Sequence, residues 1–481
     1  MVKKQLLIFA VLLAAGCTSE PMTEMLDSTT PPAASQKIIN TTAGAAEGSL
    51  IVYFDDEAIV PLENSAAEAV KTRSVATRSG INAVDGVLSN LNVTSLRRVF
   101  PDAGENEART REAGLHKWYV LTFASTIDLN AAALQLAAVA DVECIQFNTQ
   151  VEKASDCKVI PMHEVDMPAT RGDVYRFNDP ALPRQWNYVN KGYKTFAPLA
   201  RPGADVNAEA AWQISGGNPA VIVAIVDEGV KYSHPDLAAN MWVNPKPGKA
   251  GDTYVDDLHG YNFVTRGPLS WTNPSKKDEE GGDSGHGTHV AGTVAAVNNN
   301  GIGVAGVAGG TGKNDGVKLM SCQIYSGAPD GSGGAPGSGA AATTAEAIKY
   351  AADHGASIIQ CSFGYQAEAF KSDAAYIKKA RVEQEAIEYF IHTKNCTAID
   401  GGLAIFAAGN DSKAMAGYPG AYRDYISVTS ISPDYQPAYY TNYGPGCNIA
   451  APGGDAYLVK TGASQVLSTL PSELYNNEDY G

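Results

Sequence analysis

Hydrophobic and polar positions fall into two regimes along the chain. In the first, "SLIVYFDD", "VTSLRRVF", "HKWYVLTF" and "ECIQFNTQV" read as strands, while roughly Glu63 to Leu91, broken near Gly80, and "LNAAALQLAAVADV" read as helices. This β-α-β-β-α-β order predicts a small α+β unit of the split ferredoxin-like kind. From about Asp205 the pattern changes to short apolar, β-branched runs: "AVIVAIVD", "VKLMSCQIY", "ASIIQCSFG", "LAIFAAGN" and "YISVTSI". Such runs suit strands buried on both faces. Helical stretches between them, such as "TTAEAIKYAADHG" with Gly355 past its end, predict an α/β fold with a parallel sheet flanked by helices. His354, in the last turn of that helix, meets the helix dipole.

The stretches between these regimes set the organisation. Residues 18–47 are rich in Ser, Thr, Pro and Ala and read as a flexible tether. The first folded unit is expected over residues 48–151, a polar linker and processing region over 152–185, and the α/β domain over 186–481. Residues 1–17, "MVKKQLLIFAVLLAAGC", join Lys3 and Lys4 to an apolar run too short to span a bilayer, as an export signal does. The ending Leu13-Ala14-Ala15-Gly16-Cys17 resembles the bacterial lipoprotein cleavage box. That resemblance implies cleavage before Cys17, a lipid on its thiol, and membrane attachment through that anchor only, on the periplasmic or cell-surface side. An ordinary signal that happens to contain a cysteine is the alternative.

Composition narrows the partners. A chain of 481 residues exceeds one ordinary core. Its formal net charge of −16 argues against nucleic acid, whose phosphates it would repel. The seven cysteines contain no C-x-x-C pair, so a zinc site has no support. Cys322 and Cys361 lie in strand-like runs and read as small buried hydrophobes. The Gly-rich "SGAPDGSGGAPGSG" lacks the phosphate-loop pattern.

The chemistry centres on "GDSGHGTHVAGTVAA", where two histidines sit three apart. They could bind a metal, serve a nucleophile, or belong to a closely packed helix. A zinc-protease helix needs H-E-x-x-H, which His286 and His289 do not provide. His286 near a helix start suits a general base if a carboxylate holds it. Gly287, Ala291, Gly292 and Ala295 would let that helix approach neighbouring backbone closely. Asp227 closes the run Val221 to Val226, at a strand's carboxyl end, where sites form in open parallel sheets. Alone it reads first as an ordinary turn residue before Gly229. Asn410, in "IFAAGND", is placed to donate its amide to an oxyanion, or simply to make a turn.

Taken together, "VAIVDEGVKYSHPDL", "GHGTHVAGTVAAVNNNGIGVAGVA", "IIQCSFGY", "IFAAGNDS", "NIAAPGG" and "VLSTLPS" resemble the subtilisin family of serine proteases, whose triad runs Asp, His, Ser along the chain. The resemblance implies a serine endopeptidase acting on protein or peptide substrates. In it Asp227 orients, His286 is the base, Asn410 is an oxyanion donor, and His289 is structural. Ser362, Phe363 and Gly364 would pair with substrate backbone. The preceding unit looks like the family's propeptide, which assists folding and acts as an intramolecular inhibitor. Self-cleavage would fall between about Val151 and Phe177. The family also suggests a structural calcium ion held by Asp236 and the loop of Asn298, Asn300, Ile302 and Val304; ordinary polar turns are the alternative. The family's serine lies in G-T-S-x-A, which does not occur in this sequence. Ser464 precedes the strand-like "VLSTLP", and Ser284 lies on the loop before His286. The resemblance therefore implies a nucleophile beyond Gly481, and no activity until the chain is completed. The competing reading is an inactive, truncated subtilase that only binds peptides or a partner.

Overall fold

The computed structural model describes residues 33–154, 159–164, 173–249, 252–272, 283–327, 337–394 and 396–481. The export signal and Cys17 lie outside them. In chain order the N-terminal unit comprises β1 (Ala45–Phe54), α1 (Asp56–Lys71), α2 (Asn82–Asn90), β2 (Ser95–Arg98), α3 (Glu107–Glu112), β3 (Trp118–Thr122), α4 (Leu129–Ala137) and β4 (Val142–Thr149). Its sheet is antiparallel, in the order β2-β3-β1-β4. The expected β-α-β-β-α-β order is present, with the short α3 added. The first helix starts earlier than its apolar periodicity suggests. Asp55 caps it, accepting the Ala58 N–H at 3.0 Å, so it begins directly after the strand. One face of this sheet buries Leu50, Val52 and Phe54 against Leu62, Leu88 and Leu136 of the helices.

The second unit is built on a seven-stranded sheet. Along the chain follow β5 (Glu152–Lys153), α5 (Ala208–Ile214), β6 (Ile222–Glu228), β7 (Gly260–Asn262), α6 (His286–Ala295), β8 (Lys318–Tyr325), α7 (Ala341–Asp353), β9 (Ile358–Cys361), β10 (Phe363–Gly364), α8 (Asp373–Lys379), α9 (Arg381–His392), β11 (Leu403–Ala407), β12 (Ile426–Ile431) and β13 (Ile449–Pro452). The sheet order is β13-β12-β11-β9-β6-β8-β7, and every pairing is parallel. The five apolar runs read from sequence are β6, β8, β9, β11 and β12. The two edge strands are additional; β7 is only three residues long and β13 begins at an exposed Ile449. Cys322 and Cys361 are fully buried in β8 and β9. The "VLSTLP" stretch is not a strand. Ser468 and Thr469 instead donate their hydroxyls to the His289 and Thr288 carbonyls of α6, at 2.7 and 2.8 Å.

The other face of the N-terminal sheet covers α7 and α9. With the seven-stranded sheet on one side and this cover on the other, α7 is buried from Ala341 to Ala352, which explains its small, apolar composition. Neither helix has a side-chain cap of its own. Strand β4 supplies both: Asn148 Oδ1 accepts the Ala342 N–H at 3.0 Å, and Gln146 Oε1 accepts the Val382 N–H at 3.2 Å. The Trp118 indole donates to Glu385 at 2.7 Å, and the buried Glu346 pairs with Arg97 and Arg266 at 3.1 and 2.8 Å. Removing the two borrowed caps leaves helix amides unpaired in a buried interface, at about 1 kcal/mol each. The double variant Gln146→Ala/Asn148→Ala should lower the midpoint of the first urea transition of the full chain. An unchanged midpoint would show that these caps do not couple the two units.

Candidate active site

Strand β6 delivers two consecutive acids to the carboxyl end of the sheet. Asp227 is fully buried. Its carboxylate accepts the His286 Nδ1–H at 2.8 Å (Oδ1) and 3.0 Å (Oδ2), and the Glu228 N–H at 2.6 Å. With Nδ1–H held by Asp227, Nε2 is the basic nitrogen of His286. Burial alone would lower the His286 pKa. The charge of Asp227 and its hydrogen bond outweigh that, and the imidazolium is held above its ordinary value.

His286 is the first residue of α6, and the chain enters that helix through Gly285 at φ +83°. A glycine offers no capping side chain. The free amides at the helix start are met instead by Glu228, whose Oε2 accepts the Ser284 and His286 N–H groups, each at 2.9 Å. The helix lies so close to β6 that a Cβ on Gly287 would stand 2.1 Å from the Glu228 carbonyl oxygen. On Gly292 it would stand 2.3 Å from Thr469 Oγ1. His289 lies inside the helix, its Nε2 3.2 Å from the Val466 and Gly481 carbonyls. Burial, together with the charge of His286, pushes its pKa down to about 4, so it stays neutral.

His286 opens onto a cleft of about 1340 Å³ that also includes Asn410, Ser362 and Gly364 in its walls. Asn410 follows β11 in a turn that Asn442 organises. The Asn442 amide donates to the Ala408 carbonyl at 3.0 Å and accepts the Asp411 and Lys413 N–H groups at 3.0 Å. Gly409, at φ +105°, leaves room for that amide; a Cβ there would stand 2.4 Å from Asn442 Nδ2.

The end of the N-terminal unit lies in this cleft as a strand. Lys153 stands opposite Phe363 and Glu152 opposite Gly364, antiparallel. The Val151 N–H reaches the Gly339 carbonyl and the Ala154 N–H reaches the Ser362 carbonyl, both at 2.8 Å. The tail is thus held from both sides, and the last part of the Gly-rich loop forms one wall. Ser284 and Ser464 are both engaged elsewhere. The Ser284 hydroxyl bonds Glu228 at 2.9 Å and Lys153 at 3.1 Å, and the buried Ser464 donates to the Asp455 carbonyl at 2.6 Å.

The structure brings together only some of the expected calcium ligands. Asp236 accepts the Asn300 amide at 2.7 Å and the Val304 N–H at 3.0 Å. Ile302 meets Asn300 rather than Asp236, its N–H donating to the Asn300 amide oxygen at 3.0 Å. The Asn298 side chain faces away, bonded to the Gly310 carbonyl and the Gly306 N–H at 3.0 and 2.8 Å. A second acid, Asp179, accepts the Asn299 and Asn300 N–H groups at 2.9 and 3.3 Å. Burial pushes the Asp236 carboxyl up to about 7, and the charge of Asp179 adds to that rise. The Asp236 carboxylate is met here by N–H donors, and the Asn300 side-chain oxygen is taken by the Ile302 N–H, so the two acids are satisfied by amides in this arrangement. Among the described residues no group of three or more His, Cys, Asp or Glu side chains is gathered as for a metal.

Four residues of this region escape a reading of the sequence: Glu228, Asn442, Lys153 and Asp179. Glu228 is within reach, since it follows Asp227 in the same strand. The other three act through tertiary contacts that leave no local pattern.

Comparison with known proteins identifies the family and the fold. The chain is 31% identical over 288 residues to halolysin of Haloferax mediterranei, a match spanning 59% of this chain and 42% of that protein. It is 30% identical over 256 residues to the halolysin-like extracellular serine protease Nep of Natrialba magadii, spanning 52% of this chain and 37% of the relative. To thermitase of Thermoactinomyces vulgaris it is 29% identical over 270 residues, spanning 56% of this chain and 72% of thermitase. The chain thus spans less than half the length of the two halolysin-type relatives. The crystal structure of fervidolysin from Fervidobacterium pennivorans shares the fold, with a TM-score of 0.53 at 19% identity over 90% of this chain and 50% of that one. Residues 218–480 match the Subtilase family of the peptidase S8 type, and the chain belongs to that family.

Proposed function

We propose that this chain is the precursor form of an exported serine endopeptidase. The observation that carries the reading is the Asp227–His286 pair set beside a peptide strand bonded to Phe363–Gly364. In this reading Asp227 holds the Nδ1–H tautomer. Nε2 of His286 takes the proton of a serine hydroxyl as its oxygen attacks the substrate carbonyl. His286 then returns that proton to the leaving amine, while the Asn410 amide donates to the oxyanion. Ser284 and Ser464 are committed to other partners, which supports a nucleophile supplied by residues beyond Gly481.

The N-terminal unit serves as folding aid and inhibitor. Its tail is the first substrate, laid on Ser362–Gly364 by β-augmentation. Among the described residues the main-chain bond nearest the end of that stretch is from Ala154 N–H to Ser362, which supports Ala154 as the residue whose carbonyl is carried forward to His286 and Asn410. The bond cleaved in processing is then Ala154–Ser155. Export fits the likeness to Nep, an extracellular protease. Attachment through a lipid on Cys17 is part of the same proposal and rests on the cleavage box alone. A calcium ion held by Asp236 and Asn300, with Asp179 adjoining, would neutralise the two carboxylates and brace the loop.

The protein made by its source organism should react with a fluorophosphonate probe, and His286→Ala should abolish labelling. Labelling that survives His286→Ala, or none in the native protein, would sink the reading. Because Asp227 holds the His286 imidazolium above its ordinary pKa, and only neutral imidazole is a base, kcat/KM should fall with decreasing pH. Its half-maximal point should lie above the ordinary histidine value of about 6.5. A half-maximal point below that value would contradict the coupling.

Calcium gives a separate prediction. Asp236 has a folded-state pKa raised to about 7, so its ionisation destabilises the fold above that pH and not below the ordinary carboxylate range. Calcium favours the ionised form. It should therefore raise Tm more at about pH 8 than at about pH 5.5, and Asp236→Asn should remove most of the difference. An equal calcium effect at both pH values would exclude Asp236 as a ligand.

A further inference from the structure

The last residue of β5, the strand in the cleft, is a lysine, and its side chain enters an acidic corner. Lys153 is largely buried there. Its ammonium pairs with Glu228 Oε1 and bonds the Ser284 hydroxyl at 3.1 Å. Glu228 is itself 1% exposed, so the pair is withdrawn from solvent. A second carboxylate, Asp283, lies one residue before Ser284 and is 2% exposed. Its Oδ2 accepts the Ser270 hydroxyl at 3.4 Å, while its Oδ1 has no hydrogen-bond partner among the described residues. Burial and the charge of Glu228 push the Asp283 carboxyl up to about 7, and the charge of Lys153 pulls it back down. The corner thus holds two buried carboxylates for one cation.

Backbone register fixes which substrate side chain reaches this corner. In the processing register proposed above, residue 154 is the last before the scissile bond and Lys153 the one before it. Any peptide laid on Phe363–Gly364 in the same register places its corresponding side chain against Glu228 and within reach of the charge of Asp283. Once the tail departs, Glu228 keeps the Ser284 and His286 amides and the Ser284 hydroxyl, but neither acid keeps Lys153 as its cation. A buried anion without a counter-charge is costly, and an incoming ammonium or guanidinium restores what Lys153 supplied. An incoming carboxylate does the reverse.

Resting on the endopeptidase reading above, we propose that Glu228 and Asp283 form a subsite that selects lysine or arginine at the second residue before the scissile bond. The substrates are then proteins with a basic residue at that place, and Lys153 is the chain's own example.

The test uses the processed native protein and a set of fluorogenic peptides that differ only at that residue, carrying Lys, Arg, Ala or Glu. The expected kcat/KM is about tenfold or more higher for Lys than for Ala, with Glu lowest. Glu228 also anchors the helix of His286, so Glu228→Gln can slow every peptide; the Lys-to-Ala ratio is the readout, and Asp283→Asn provides it without touching the helix start. Both variants should compress the ratio to within about threefold. Equal rates on Lys and Ala peptides in the native protein, or a ratio unchanged in both variants, would overturn the subsite while leaving the endopeptidase intact. No cleavage of any peptide, with no fluorophosphonate labelling, would overturn the endopeptidase reading and the subsite with it.

Discussion

A single buried carboxylate, that of Glu228, ties the parts of the site to one another. It follows Asp227 on β6, an interior strand between β9 and β8, so its position is set by the sheet. It accepts the Ser284 amide on the approach to α6 and the His286 amide at its first residue, so the helix start, and with it His286, is set by the same strand that carries Asp227. It also receives Lys153 from the N-terminal unit. Charge-assisted bonds of this kind are among the stronger ones a fold can make, and here three elements converge on one acid. Gly287 makes the arrangement feasible, because any side chain there would collide with the Glu228 backbone.

The N-terminal unit extends the same logic beyond the site. Its sheet does more than cover apolar surface on α7 and α9. Asn148 and Gln146 complete the starts of those helices, which have no caps of their own. These two bonds tie the starts of α7 and α9 to β4 of the N-terminal unit. Its tail then runs on into the cleft. Docking and occlusion are consequences of one continuous stretch, β4 through Ala154.

Much of this is legible in the sequence where the physics is local. The strands β6 and β8 announce themselves as apolar runs because both faces are buried. Strands β9, β11 and β12 announce themselves equally, although they are not buried on both faces and part of one face lines the cleft. The edge strands do not, since β7 is three residues long and β13 is partly exposed. The "VLSTLP" run reads as a strand because it is apolar, yet Ser468 and Thr469 spend their hydroxyls on the carbonyls of α6. Asp227, His286 and Asn410 stand out through their contexts at strand ends and a helix start. Asn298 is expected near the cation, but its amide braces Gly306 and Gly310 instead. Lys153 and Glu228 lie 75 residues apart, and a pairing at that distance leaves no periodic trace.

Residues 151–154 lie in the cleft bonded as a substrate strand would be, and in the proposed reading the Ala154 carbonyl is carried to His286. The N-terminal sequence of the processed protein, purified from its source, tests that register. A mature chain that begins at Ser155 is the expected result. A mature chain that begins elsewhere, or one that retains residues 48–154 in full activity, would contradict it.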